Sequence, residues 1–426
     1  MKVNMITENN IINKNAVRLI PLLFILYIAN FLDRVNFSYA ALEMNKTLTL
    51  SPKMYGILSG IFFLGYFLFE IPNNMIMHKI VARKWITRIL ISWGIVSSLT
   101  GFANSSGQIL VLRFLLGVAE AGFFPAVILY ITYWFSLKKR ATIVSLIYTA
   151  ITISNVIGAP ISTFILQNIH WFSIESWRWL FFLEGIPSII LGIVTFFYLP
   201  DRPAQANWLI PEEKKILTSA LTADSIEYLK FSQSKWYRVM GNSVIIRFTI
   251  IYFCFVVALY SITFWLPLFM NEVMNYSSLM NLGLHIAILY AITTIIMIIY
   301  GHIADRMRKK KAFAVAAYIT GSFSFILAGL FFENKYHFLL LLIALFSTFS
   351  LAGPTWGFFT SFVKEQQAAV GIAFINSVGN LGGMFGPWLI GYFKQDHNNN
   401  GLSWLCVGII MVFGAILMLT VKREPI

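Results

Sequence analysis

Four ionisable side chains stand where a chain this apolar has no ordinary use for them. Asp33 and Arg34 adjoin within Tyr27-Ile28-Ala29-Asn30-Phe31-Leu32-Asp33-Arg34-Val35-Asn36, and Arg113 and Glu120 bracket Arg113-Phe114-Leu115-Leu116-Gly117-Val118-Ala119-Glu120. A guanidinium fork matches a carboxylate in a two-point hydrogen bond, so the two arginines suit an anionic cargo. A carboxyl group in a poorly hydrated cavity can load and release protons. Nearly two helical turns separate Arg113 from Glu120, which puts both on one face about 10 Å apart. Gly117 shares that face, and small residues let helices approach closely. The competing reading is structural, with Asp33–Arg113 or Arg34–Glu120 as ion pairs between helices. Buried pairs are a costly way to join helices, which favours a polar cavity with chemistry in it.

The elements that carry these residues must be membrane helices. The chain is 58% apolar and 12% charged, with a mean hydropathy of +0.73. Soluble domains carry about twice that charge, so the solvent implied is lipid. A span needs roughly 20 mostly apolar residues. Such stretches fall at 17–40, 55–78, 86–104, 108–134, 142–168 and 178–199, then at 244–271, 282–302, 312–332, 337–360, 368–393 and 401–421. The fold class expected is therefore all-α and integral to the membrane. It has twelve transmembrane helices in two six-helix halves, 17–199 and 244–426, the second ending in a short tail. Residues 1–16 form a polar N-terminal tail without the features of a signal peptide. Residues 200–243 form a polar linker, in which Pro211-Glu212-Glu213 suits the start of a short surface helix as well as a plain connection.

The net charge of +14 follows topology rather than a nucleic-acid partner. Of 32 lysines and arginines, 25 fall on the side of the N-terminus and five on the other, with Arg34 and Arg113 inside spans. That asymmetry predicts both termini in the cytoplasm. One cytoplasmic helix end in the second half, Gly301-His302-Ile303-Ala304-Asp305-Arg306, precedes a basic run from Arg308 to Lys311. Gly301, Asp305 and Arg306 are read as a motif of conformational switching. The matching region from Pro72-Asn73 to Lys84 is basic but lacks the glycine and the aspartate.

Tyr66, Asn376 and Asn380 are further polar residues within spans, able either to line a cavity or to hydrogen-bond between helices. Ser154 and Asn155, before Gly158-Ala159-Pro160, suit packing and bending. Glu70 and Glu184 fall near span ends, where polar surroundings are within reach. Neither Cys254 nor Cys406 supports a disulfide framework or a metal site. No His-Glu-x-x-His pair, no G-x-x-x-x-G-K-[ST] phosphate cradle and no pattern of polar pore rings occurs. An intramembrane enzyme, an ATP-driven pump and a channel all lose their grounds.

At these residues the sequence resembles a known family. Asn30 to Asn36 is similar to the first-helix signature of the anion:cation symporter branch of the major facilitator superfamily. Gly65-Tyr66-Phe67-Leu68-Phe69-Glu70-Ile71-Pro72, Arg113 to Pro125, Trp134-Phe135, Trp177 to Pro187, Phe264-Trp265-Leu266-Pro267 and Asn376 to Pro387 extend the resemblance over nearly the whole chain. It implies a bacterial inner-membrane permease for tartrate, phthalate, hydroxyphenylacetate, galactonate or a related organic acid. It further implies proton coupling by Asp33 and Glu120, capture of the substrate carboxylate by Arg34 and Arg113, and contact with Tyr66. Ala150-Ile151-Thr152-Ile153 is nearly apolar where sugar-acid members can carry a glutamine, which speaks against a heavily hydroxylated acid. The expected partners are a small organic acid, protons and the lipid bilayer, with no nucleic acid and no obligate protein. No cofactor is expected, since the proton gradient supplies the energy. The rival of the same fold is an exporter or anion exchanger.

Overall fold

The computed structural model describes residues 8–77, 80–219, 221, 241–332, 336–360, 365–396 and 400–421. The basic residues Lys2, Lys79, Lys230, Lys235, Arg238, Lys335, Lys364, Lys422 and Arg423, and linker residues 222–240, lie outside the described residues. The first half contains α1 (Glu8–Thr47), α2 (Pro52–Met77), α3 (Ala82–Thr100), α4 (Ser106–Glu120), α5 (Phe123–Thr132), α6 (Leu137–Tyr148), α7 (Ala150–Asn168) and α8 (Ser176–Tyr198). The second contains α9 (Ser243–Met274), α10 (Leu279–Arg306), α11 (Lys310–Leu330), α12 (His337–Ser350), α13 (Ala352–Phe359), α14 (Glu365–Gly379), α15 (Gly382–Asp396) and α16 (Asn400–Thr420). Among the described residues, ten helices are long and apolar enough to cross a membrane. The basic start of α3, with Arg83, Lys84 and Arg88, and the division of the eleventh span into α14 and α15 set those two apart. With them, each half has six spans.

The helix starting at Glu8 takes in residues 8–16 of the expected N-terminal tail. In the linker, a helical stretch covers 211–219. It is fastened under the first half by the ion pair between Glu213 and Lys14. Trp208 stacks on Trp134 with centroids 5.6 Å apart and donates to Asn15 Oδ1 at 2.9 Å.

Where spans break, the local sequence accounts for it. The fourth span parts at Ala121-Gly122, where Gly122 takes a φ of +89°. That left-handed turn strands carbonyl groups in a medium that offers no water. Asn73 Nδ2 answers by donating to Ala121 O at 2.7 Å and to Val118 O at 3.3 Å. Close approach elsewhere depends on missing side chains. A β-carbon on Gly117 would overlap Phe62 O, so α4 lies against α2 backbone to backbone, and Arg113 and Glu120 are drawn toward the interior.

The halves meet along two seams. On one, α2 runs against α15, and a β-carbon at Gly56 or Gly60 would lie 2.6 Å from Pro387 O or Met384 O. On the other, α7 meets α10, where Gln167 Oε1 accepts from Ser278 Oγ at 2.7 Å and from Met280 N at 2.8 Å. Tyr55 Oη donates to Phe264 O at 2.7 Å between them. These contacts close the end of the bundle that carries residues 48–51, 169–175 and 275–278.

Candidate substrate and proton site

Arg34 on α1 extends to the boundary between the halves. Its Nη2 donates to Glu120 Oε2 of α4 at 2.6 Å, and its Nη1 donates to Tyr260 Oη of α9 at 3.3 Å. Rings of Phe62, Phe31 and Tyr66 surround the guanidinium, with centroids 5.0, 5.2 and 5.6 Å away. Glu120 is fully buried; its Oε2 also accepts from Asn30 Nδ2 at 2.9 Å, while its Oε1 has no hydrogen-bond partner. Of the two ion pairs the residue types allow, the structure forms Arg34–Glu120.

Arg113 is bound differently. It is 1% exposed and sits between the rings of Phe37 at 4.4 Å and Phe62 at 5.3 Å. Its Nε and Nη2 reach Leu58 O and Ser59 O at 3.4 and 3.5 Å, the long limit of such bonds, and Nη1 has no partner. Among the described residues, no carboxylate pairs with it. Phe264 of α9 lies 6.0 Å from its guanidinium, so Arg113, like Arg34, faces the second half.

Asp33 does not pair with Arg113. Trp93 Nε1, Ser97 Oγ and Ser188 Oγ each donate to its carboxyl oxygens at 2.8 Å. The carboxyl is thereby held inside the first half among α1, α3 and α8. Tyr66 is 5% exposed and joins the ring wall around Arg34. Asn376 and Asn380 lie at the α14–α15 break, with Asn380 N donating to Asn376 O at 3.0 Å. Asn376 also spans the seam, its Nδ2 3.3 Å from Glu70 Oε1. Gly301, Asp305 and Arg306 stand apart from this group at the end of α10, where Asp305 pairs with Lys310 at 3.0 Å.

Two positions differ from expectation. Glu70 and Glu184 do not reach polar surroundings at span ends; they are 2% and 8% exposed. For Glu70, α2 continues to Met77 and α14 of the other half covers it. Glu184 lies two turns inside α8 and accepts from Ser162 Oγ of α7 at 2.7 Å. Sequence reasoning also missed Tyr260 and the donors around Asp33. Asn30, Ser97 and Ser188 were legible as polar residues in apolar runs, but nothing in Tyr260 distinguishes it from other interfacial tyrosines. Among the described residues, no three His, Cys, Asp or Glu side chains converge as metal ligands would.

The family model of the Major Facilitator Superfamily matches residues 23–387. A protein of Agrobacterium vitis assigned as a tartrate transporter is 35% identical over 421 residues, 98% of this chain and 95% of its own. A protein of Pseudomonas putida assigned as the metabolite transport protein NicT is 36% identical over 402 residues, 93% of this chain and 91% of its own. Among solved structures, a D-xylose-proton symporter superposes with a TM-score of 0.77 at 15% identity, covering 96% of this chain and 98% of that one. This last likeness bears on the fold alone.

Proposed function

The chain belongs to the major facilitator superfamily, and from that premise we propose that it moves a small organic carboxylate across the bacterial inner membrane in symport with protons. The protein is a multi-pass membrane transporter. The charge split favours both termini in the cytoplasm. The finer assignment rests on Arg113. Among the described residues no carboxylate pairs with this buried cation, an arrangement expensive to keep, and a substrate carboxylate between the halves would answer it. The relatives assigned to tartrate transport support a carboxylate cargo.

The coupling proposed is a competition. Glu120 and a substrate carboxylate both bind Arg34, so a proton on Glu120 weakens the ion pair and frees the guanidinium for the substrate. By reciprocity, bound substrate favours the proton. Asp33, within its ring of donors, is the second proton-coupling carboxyl. Tyr66, Asn376 and Asn380 supply the polar and aromatic lining. Gly301, Asp305 and Arg306, with the Asp305–Lys310 pair, serve the conformational change.

The test is uptake of radiolabelled mono- and dicarboxylates and aromatic acids into proteoliposomes with an acid exterior. Accumulation of at least one acid that collapses on adding a proton ionophore supports symport. Accumulation indifferent to the ionophore but driven by a counter-anion favours the exchanger instead.

A further inference from the structure

Glu70 has no assigned role in the carboxylate site, although Asn376 of its lining donates to it; it is buried and lies on the surface where the two halves must part. We propose that Glu70 is a further proton-exchanging carboxyl of the transport cycle, and that in its neutral form it latches α14 of the second half onto α2 of the first. The proposal rests on the reading of the chain as an alternating-access carrier, but does not require Glu120 to carry the coupled proton.

The geometry begins at the sealed end. Gly391 meets Pro52, Pro387 meets Gly56 and Met384 meets Gly60, backbone against backbone, and Gly383 faces the ring of Phe63. Ten residues beyond Gly60 on α2, some 15 Å along the axis, the pairing changes character. Here Glu70 faces α14, with Asn376 Nδ2 donating to its Oε1 at 3.3 Å. Ser377 is the other polar side chain close enough to act on the carboxyl, though Glu70 Oε2 and Ser377 Oγ are both buried without a formed hydrogen bond. One long amide contact is poor compensation for an ionised carboxylate removed from water. The neutral acid tolerates that setting; the anion is better served by water.

The arm that carries Asn376 has a break at its base about which it would pivot. Between the tight α2–α15 seam and the latch, the eleventh span is interrupted at Asn380-Leu381, flanked by Gly379, Gly382 and Gly383. Tyr252 of α9 packs on Gly379 and donates to Asn376 Oδ1 at 3.5 Å, tying the arm to its own half. Loss of the proton from Glu70 to entering water would therefore release α14 while α15 stays seated.

The groups facing Glu70 leave it this role. From α1 the charged neighbour is Arg34, already engaged by Glu120. Tyr66, one turn earlier on α2, and Tyr252 are the titratable hydroxyls nearby. Glu120 of α4 acts on Tyr66 and is held by Arg34 and Asn30. The sequence of α5 has no ionisable group but Tyr130, and the ionisable residues of α15 after Pro387 lie toward the sealed end.

The experiment uses nitroxide labels at Ile76→Cys on α2 and Ile372→Cys on α14, with Cys254 and Cys406 replaced by serine, in the full-length protein in nanodiscs. Distances are measured without substrate from about pH 5.5 to about pH 8.5, where one linked proton changes the latch equilibrium by at most about tenfold per pH unit. The short distance should gain population as the pH falls. Glu70→Gln should hold the short distance at every pH, and Asn376→Ala should favour the long distance even in acid. A parent distribution indifferent to pH, or a Glu70→Gln distribution that tracks the parent, overturns the latch. If uptake ignores a proton ionophore while the Glu70→Gln difference persists, the latch stands and symport falls. If uptake is proton-driven and the labels ignore pH, symport stands and the latch falls.

Discussion

Arg34 and Glu120 are joined at 2.6 Å between α1 and α4, while Arg113, seven residues before Glu120 on the same helix, donates to the backbone carbonyls of Leu58 and Ser59. One guanidinium is neutralised within the protein and the other is held ready. That asymmetry divides the work: Arg113 as the standing anion site, Arg34 as the part that answers to a proton.

Arg113→Ala should abolish uptake, with a loss of about 2–5 kcal/mol in substrate binding, as for truncation of one partner of a buried charge pair. Because no carboxylate among the described residues pairs with the cation, the same change should cost little thermal stability, the relief of a buried charge offsetting the space left between Phe37 and Phe62. Uptake and melting curves measured on one preparation check both halves. A variant that fails to bind and also melts much earlier would point to a structural arginine.

Glu120→Gln should uncouple. Proton-driven accumulation should be lost while substrate counterflow between equal pH compartments persists, because the amide leaves Arg34 available. Counterflow and gradient-driven uptake are the paired readouts, and equal loss of both would contradict the competition for Arg34.

Asp33→Asn puts an amide donor in place of one carboxyl oxygen, facing either Ser97 or the pair Trp93 and Ser188, all of which donate to the present carboxyl. A buried amide donor that meets other donors should cost about 1–3 kcal/mol. A lowered melting temperature with Arg113-dependent substrate binding retained is the expected pattern.

Outside the membrane, the Lys14 ammonium hydrogen-bonded to Glu213 holds its carboxyl below the usual glutamate range. Burial opposes the shift and the Ile210 N–H, 3.2 Å from Oε2, adds to it. A depressed folded value means that the contact is at full strength above the ordinary glutamate value of about 4.3. It weakens as the pH falls through the depressed value. A nitroxide at Ser219 should stay immobile near neutrality and loosen only in strong acid, and Lys14→Ala should loosen it at neutral pH.

Much of this was legible in the residues themselves. The spans follow from hydropathy, and the four central charges announce themselves by their cost in hydrocarbon. Helical spacing puts Arg113, Gly117 and Glu120 on one face, and Gly117 does seat α4 against α2. What spacing cannot supply is the neighbour opposite that face. The same period allows Asp33 to meet Arg113 or to turn into the first half toward Trp93, Ser97 and Ser188; only the packing of α3 and α8 decides. Glu70 looked like a span-end residue because nothing local to α2 reveals that Asn376, more than three hundred residues away, covers it. Long-range contacts of this kind are properties of the assembled bundle.

The account stands most directly on whether substrate moves protons. With a pH-sensitive dye sealed inside proteoliposomes and no gradient imposed, adding the transported carboxylate outside should acidify the interior for the native protein and leave it unchanged for Arg113→Ala. Carboxylate entry without interior acidification, or equal acidification with Arg113→Ala, would contradict it.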